Sequence, residues 1–154
     1  MINVGEKIQD FTLKDQDNKN FSSQDVRGKK MVLSFHPLAF TPVCTQQMID
    51  LDTNMDVFDS LNTVPLGMGV DQQFCKAAWA KEMNIKRLRI LADFWPHCGV
   101  AHSLGIFREK DGFSERANIL VNEAGEVIWT KLYPMGEQPD VNEVIEAIRN
   151  HQPE

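Results

Sequence analysis

The chain has 154 residues, enough for one domain whose core needs no disulfide staples, because a domain of about 150 residues buries roughly two-thirds of its unfolded surface. Its net charge of −6 argues against a nucleic-acid binder, which would usually show a basic face. No apolar run approaches the ~20 residues of a membrane span, and the N-terminus does not read as a signal peptide. We therefore expect a single domain over residues 1–154, away from membranes and in the cytoplasm.

Three cysteines, Cys44, Cys75 and Cys98, are widely spaced along the chain, and none belongs to a CxxC pair. An odd number of separated cysteines is typical of free thiols in a reducing compartment. The usual structural zinc site takes closely paired cysteines, and we expect neither a metal nor a cofactor.

The first half of the chain predicts a β-hairpin followed by alternating strands and helices. Apolar and polar runs with their turn signals give these elements in order: a hairpin around a polar turn at 15–18, a short helix at 22–28, a buried strand at 30–35 and a helix at 41–61. The next signals are a strand at 64–70, a helix that follows Asp71 and runs through Met83, and a strand at 88–91.

The last third predicts a short helix at 96–104, a strand that starts at 105–107, and a hairpin whose strands are 117–121 and 127–130. A closing helix at 140–149 has Asp140 as its N-cap. This order predicts an α/β thioredoxin-like fold, with a mixed central sheet flanked by helices and an N-terminal β-hairpin extension.

Cys44 lies where a helix is expected to begin. Thr41 is a good N-cap and Pro42 suits the first helical position, so Cys44 falls in the first turn. Unpaired backbone N–H groups and the helix dipole favour an anion there, which for a cysteine is the thiolate. Helical spacing also places Cys44 on the apolar stripe of Met48, Leu51, Met55 and Phe58, so a plain buried core residue is the alternative interpretation.

The pattern Pro37-x-x-x-Thr41-x-x-Cys44 resembles the signature of the peroxiredoxins, thiol peroxidases that reduce hydroperoxides. The likeness extends over the whole chain. The run DFWPH at 93–97, followed by Leu104 to Phe107, is similar to the AhpE-like branch of one-cysteine bacterial peroxiredoxins. The resemblance implies reduction of hydrogen peroxide and organic hydroperoxides through a sulfenic acid on the peroxidatic cysteine.

The resemblance also assigns roles to residues. Cys44 matches the peroxidatic cysteine, Thr41 the threonine whose hydroxyl contacts thiolate and peroxide, and Pro37 the proline that shields the pocket. Arg116, at the start of a late strand, matches the catalytic arginine, and a surface ion pair with Glu115 or Glu123 is its alternative role.

Two further residues are candidates for the pocket. Gln47 stands where many family members have glutamate, so it either leaves more of the Arg116 charge to the thiolate or holds the arginine less well. Trp79 matches an aromatic residue that often lines the active-site wall, and ordinary core packing explains it equally well.

The resemblance leaves the reduction of the sulfenic acid open. Branches that resolve it five residues after the peroxidatic cysteine have a cysteine where this chain has Ile49, and residues 99–154 contain none. Cys75 and Cys98 are the remaining candidates for a resolving thiol. Otherwise an external thiol, a redoxin or a low-molecular-weight thiol, reduces the enzyme by a one-cysteine mechanism.

Three other functions compete with the peroxidase interpretation. A thiol–disulfide oxidoreductase on the same fold would need a redox CxxC. A metal-binding protein would use His97, Cys98 and His102, and a chaperone role would need no chemistry. A homodimer is expected from the family, with Phe40 and the pair Phe94-Trp95 as candidates for its interface.

Overall fold

The computed structural model describes residues 1–152. The strands are β1 (Thr12–Lys14), β2 (Asn20–Ser22), β3 (Lys30–Phe35), β4 (Thr63–Gly69), β5 (Arg89–Ala92), β6 (Phe107–Arg108), β7 (Phe113–Ser114), β8 (Arg116–Val121) and β9 (Val127–Tyr133). The α-helices are α1 (Pro42–Thr53), α2 (Met55–Ser60), α3 (Gln73–Met83), α4 (Gly99–Ser103) and α5 (Val141–Asn150), and a 3₁₀ helix spans Ser23–Val26.

A five-stranded sheet in the order β5-β4-β3-β8-β9 forms the centre of the fold. β3 pairs in parallel with β4 and antiparallel with β8, while β4 pairs in parallel with β5 and β8 antiparallel with β9. β1 and β2 form the expected N-terminal hairpin beside it. This arrangement confirms the predicted thioredoxin-like fold with a mixed sheet.

The two faces of the sheet carry separate hydrophobic cores. Alternate residues of a strand point to opposite faces, so Met31, Leu33 and Phe35 of β3 lie in one core and Val32 lies in the other. All six residues of β3 are buried, as a continuous apolar run in a central strand predicts. Helices therefore cover both sides of this strand.

The predicted helix at 41–61 is two helices. α1 ends at Thr53 and α2 begins at Met55, with Asn54 between them at φ −101° and ψ 15°. The Asn54 side-chain amide donates to the carbonyl of Asp50 at 2.8 Å, a local bond of the kind by which asparagine competes with regular helix. The apolar stripe continues through the break, because Met55 and Phe58 are buried like Met48.

The helix predicted at 96–104 is also shorter than expected. It begins at Gly99, because Cys98 before it has the left-handed backbone angle φ 51°. The strand after it has only two residues and pairs with β7.

The C-terminal predictions are confirmed. Gly125 turns the β8–β9 hairpin at φ 86°, and the Asp140 carboxylate accepts a hydrogen bond from the N–H of Asn142 as the cap of α5. Across residues 1–152, no helix is both long and apolar enough to cross a membrane.

Candidate active site

Cys44 lies at the buried start of α1, as the sequence predicts. Thr41 is the N-cap residue and Pro42 the first helical residue, and the Cys44 side chain is only 1% exposed. The Thr41 hydroxyl does not cap the helix, since it donates to the Leu38 carbonyl at 2.8 Å. The thiol therefore sits in the first helical turn, where backbone N–H groups have no partner within the helix.

Arg116, at the start of β8, brings a cation to the thiol from the strand next to β3. Its Nη1 donates to Cys44 Sγ at 3.2 Å and to Gln47 Oε1 at 2.9 Å. Its Nε and Nη2 both donate to the carbonyl of Met135, at 3.3 and 2.8 Å. The guanidinium is only 3% exposed, so these bonds fix it against Cys44 in a place largely closed to water.

The two glutamates that offered Arg116 an alternative ion pair bind other cations. Glu115 pairs with Arg108, and Glu123 pairs with the fully buried Lys30 at 3.0 Å. Arg116 therefore contacts Cys44 and does not form the alternative ion pair with Glu115 or Glu123.

Gln47 uses both ends of its amide. While Oε1 accepts from Arg116, Nε2 donates to Ser34 Oγ at 2.8 Å and to the Phe35 carbonyl at 3.1 Å. A carboxylate at this position would have no proton to give the Phe35 carbonyl. The amide therefore holds Arg116 in place without adding a negative charge beside the thiol.

A cavity of about 260 Å³ opens onto this group. Its walls are Pro37, Leu38, Thr41, Pro42, Val43, Cys44, Phe113, Arg116 and Met135. Most of the lining is apolar, with the thiol and the guanidinium as the polar groups at its base. Sequence reasoning missed Phe113 and Met135, because both come from segments with no motif of their own.

Trp79 is not part of this wall. Its side chain is 1% exposed in the core, its Nε1 donates to Thr45 Oγ1 at 3.1 Å, and its ring meets that of His36 edge-on at 4.9 Å. It lines a neighbouring cavity with Phe40 instead. These contacts are the ones that the packing interpretation of Trp79 predicts.

Within residues 1–152, Cys44 forms no disulfide, and Cys75 packs against the same hydrophobic core as Cys44. All three cysteines are free within the described residues. Cys98 lies in the core on the opposite face of the sheet, where burial raises the pKa of its thiol to about 12. Cys75 is half-buried with its Sγ 3.9 Å from Asp71 Oδ1, and burial together with that carboxylate raises its pKa.

The metal site proposed for residues 97, 98 and 102 is not formed. His97 Nε2 lies 2.6 Å from the Gly112 carbonyl, the His102 ring stacks on Phe107 at 4.0 Å, and the Cys98 thiol is buried. From residue 1 to residue 152, no three side chains of the kinds that bind metals are grouped as ligands. Helical spacing suggested a shared face, but α4 begins only after Cys98.

Comparison with known proteins gives a consistent result. The family model described as AhpC/TSA matches residues 4–130. Alkyl hydroperoxide reductase E of Mycobacterium tuberculosis is 31% identical over 141 residues, which cover 91% of this chain and 92% of that protein. A peroxiredoxin of Thermotoga petrophila is 29% identical over 152 residues, covering 95% and 70% of the two chains.

Among solved structures, AhpC of Enterococcus faecalis superposes with a TM-score of 0.91 at 23% identity, over 99% of this chain and 93% of that one. This similarity supports the thioredoxin-like fold. The family model and the mycobacterial relative each cover most of the sequence. The chain therefore belongs to the AhpC/TSA family of peroxiredoxins and is a peroxidase.

Proposed function

We propose that this peroxidase reduces hydrogen peroxide and organic hydroperoxides with Cys44 as its nucleophile. The observation that carries the proposal is the hydrogen bond from Arg116 Nη1 to Cys44 Sγ, at the base of the cavity and at the start of α1. A guanidinium and a helix N-terminus both stabilise a thiolate. The largely apolar lining suits the alkyl group of an organic hydroperoxide.

In the proposed reaction, the Cys44 thiolate attacks one oxygen of the O–O bond. An S–O bond forms as the O–O bond breaks, the cysteine is oxidised to a sulfenic acid, and the leaving oxygen takes up a proton to become water or an alcohol. Arg116 stabilises the negative charge as it moves from sulfur to the leaving oxygen. Pro37 keeps bulk water out of the cavity, and the Thr41 hydroxyl, on the same wall, orients the peroxide.

We propose that the sulfenic acid is reduced by an external thiol. The first thiol forms a disulfide with Cys44 and releases water, and a second thiol then restores the Cys44 thiol. A bridge to another cysteine of this chain requires Cα atoms within about 7 Å. The burial of Cys98 on the opposite sheet face and the contact of Cys75 with Asp71 favour the one-cysteine mechanism.

Stopped-flow fluorescence tests the proposal directly. Reduced wild type and Cys44→Ser are mixed with hydrogen peroxide or an organic hydroperoxide, with Cys98→Ser as a matched control. We expect rapid consumption by wild type and control and none by Cys44→Ser. A wild-type rate no faster than that of free cysteine would show that Cys44 is not a peroxidatic residue. Any holdase activity would survive in Cys44→Ser.

The product identifies the reductant class. Mass spectrometry after one equivalent of peroxide should give the chain with one added oxygen, and a redoxin or low-molecular-weight thiol should then restore the starting mass. Loss of two hydrogens instead would indicate an internal disulfide to Cys75 or Cys98 and overturn the one-cysteine mechanism. Because the cycle begins and ends with a free thiol, we propose a reducing compartment such as the cytoplasm as its place of work.

We further propose a homodimer. Phe40 and Trp95, which sequence analysis suggested as interface residues, are 50% and 79% exposed, and large aromatic side chains are enriched at interfaces. Sedimentation analysis of wild type and Trp95→Glu tests this. A wild type that sediments as a monomer at micromolar concentration would contradict it.

A further inference from the structure

A buried polar cluster lies directly behind the loop that carries Pro37 and Thr41. Lys76 of α3 is fully buried, with its Nζ 2.7 Å from His36 Nε2 and 3.7 Å from Asp71 Oδ2. Lysine is almost never fully buried unless it is paired. The mechanism proposed above leaves this cluster without a role.

The His36 ring packs in a space that the absence of a side chain at Gly69 leaves open. His36 follows β3 and precedes Pro37, and its ring lies against Gly69, where a Cβ would come within 2.5 Å of Nε2. Burial and the nearby cations Lys76 and Arg116 hold the pKa of His36 well below its usual value, so the ring is neutral. Its Nε2 then accepts a hydrogen bond from the Lys76 ammonium, and Nδ1 is buried without a partner among residues 1–152.

Asp71 connects the cluster to the active-site loop. Its Oδ2 accepts a hydrogen bond from the backbone N–H of Ala39 at 2.8 Å, midway between Pro37 and Thr41. The next residue, Phe40, has φ 67°, a left-handed conformation that costs free energy in a residue other than glycine and persists only when its surroundings hold it. The bond to Ala39 is one such restraint.

Building on the peroxidase function proposed above, we propose that Lys76 is a positioning residue for this reaction. Its ammonium group bonds His36 and pairs with Asp71, and the two together hold the loop at residues 37–41 so that Pro37 and Thr41 face Cys44. Loss of the ammonium charge leaves the half-buried Asp71 carboxylate without its cation and loosens the loop.

The charge on Lys76 changes in an accessible pH range. Burial lowers the pKa of Lys76 to about 8, against the opposing effect of Asp71, Cys75 and Cys44. The ammonium is therefore present below about pH 8 and lost above it, so the proposal requires the peroxide rate to fall on the alkaline side.

Groups from each packed element face Lys76. They are His36 after β3, Cys44 on α1, Asp71 after β4, Cys75 on α3, Asp93 after β5 and Cys98 before α4, while Arg116 on β8 acts on His36. Burial raises the pKa of both Cys75 and Cys98 from 9.0, and that of His36 lies well below 6.5. These three groups therefore do not titrate near pH 8.

The test is the second-order rate constant for hydrogen peroxide from about pH 6 to about pH 10, measured by stopped-flow on the full chain. For wild type we expect a fall of roughly tenfold or more with an apparent pKa near 8, since small displacements of positioned groups cost large factors in rate. Lys76→Met should be slow at every pH and lack the alkaline fall. Lys81→Met, an exposed lysine on the same helix, should match wild type.

Asp71→Asn supplies a signature that a merely structural role would not give. Asparagine still offers Ala39 an acceptor oxygen, but it removes the carboxylate charge that contributes most to keeping Lys76 charged. The alkaline fall should therefore move to lower pH. Lys76→Arg, which stays charged throughout, should remove the fall while retaining the rate near neutral pH.

A wild-type rate with no alkaline fall, or one that keeps the same fall in Lys76→Met, would overturn the role of Lys76. Should Lys76→Met fail to fold, the profiles of wild type and Asp71→Asn decide, and an unshifted profile in Asp71→Asn counts against the proposal. Failure of the peroxidase function itself would look different, because wild type would then consume no peroxide at any pH.

Discussion

Replacing Arg116 with methionine removes the guanidinium from Cys44 Sγ while keeping a long unbranched side chain. A hydrogen bond to a charged group contributes about 1.5–3 kcal/mol, which corresponds to roughly 10- to 150-fold in rate. Loss of one preorganised donor to a developing charge costs about 100- to 1000-fold in other enzymes. With Nη1 at 3.2 Å from the sulfur, we expect Arg116→Met to lower the rate constant for hydrogen peroxide by about 100-fold.

Arg116→Lys separates charge from geometry. An ammonium keeps the positive charge but cannot reproduce the planar fork that reaches Cys44, Gln47 and Met135 together, so we expect a loss of about tenfold. Arg149→Met, at an exposed position of α5, is the matched control and should leave the rate unchanged. Stopped-flow Trp fluorescence gives the rates, and circular dichroism shows that each variant is folded.

Stability must be measured beside activity, because Arg116→Met leaves the Met135 carbonyl and Gln47 Oε1 without their donor. Each unsatisfied buried acceptor costs about 1–3 kcal/mol. An Arg116→Met enzyme that is folded and reacts within about threefold of wild type would refute the assignment, since a transition-state contact cannot be removed at so small a cost in rate.

Three further substitutions test the environment of the site. Gln47→Glu should lower the free energy of unfolding by about 1–3 kcal/mol in thermal denaturation, because the Phe35 carbonyl loses its donor, and an unchanged melting temperature would contradict this. Gly69→Ala should lower it by about 1–3 kcal/mol, since its Cβ would lie 2.5 Å from the His36 ring, and a variant as stable as wild type would mean that the ring moves freely. Cys98→Ala should cost only about 1 kcal/mol and leave the peroxide rate and the product mass shift as in wild type, whereas a changed product would give Cys98 a redox role.

Much of the fold follows from local patterns in the sequence. The continuous apolar run of β3 and the Thr41-Pro42 start of α1 are strong signals, and both elements form as predicted. The predicted boundaries of two helices were wrong at residues with a non-helical backbone. Asn54 divides the predicted long helix, and Cys98, in a left-handed conformation, delays the start of α4. A single residue that interrupts a helix gives only a weak signal in the sequence, because the apolar periodicity continues on both sides of it.

In the candidate site, too, local features could be predicted from the sequence and contacts between distant segments could not. The first-turn position of Cys44 is a local property and could be derived from the chain itself. Its proximity to Arg116 depends on sheet pairing, and only the family resemblance pointed to it. The bond from Arg116 to the Met135 carbonyl had no signal at all, because every residue carries a carbonyl. A backbone carbonyl that a distant loop contributes cannot be predicted from the residue types in the sequence.

The buried Lys76 does have a signal in the sequence. Lys76, Trp79, Ala80 and Met83 follow the spacing of an apolar helical stripe, with a lysine at a position where an apolar residue is expected. Periodicity alone reads such a residue as an exception on the solvent side. Only the folded structure shows that His36 and Asp71 contact it from two other segments.

The division of the core by the central sheet has a consequence for how the enzyme is used. The sheet places Cys98 in the core on the opposite face from Cys44. Under the proposed one-cysteine mechanism, each oxidised molecule is reduced only when an external thiol reaches it. Turnover is then limited by reductant supply, and a second peroxide molecule competes for the sulfenic acid and drives it to the irreversible sulfinic state. The fraction of irreversibly inactivated enzyme would thus increase with the total exposure to peroxide in excess of the supply of reducing thiol. The enzyme would therefore carry a lasting record of that exposure.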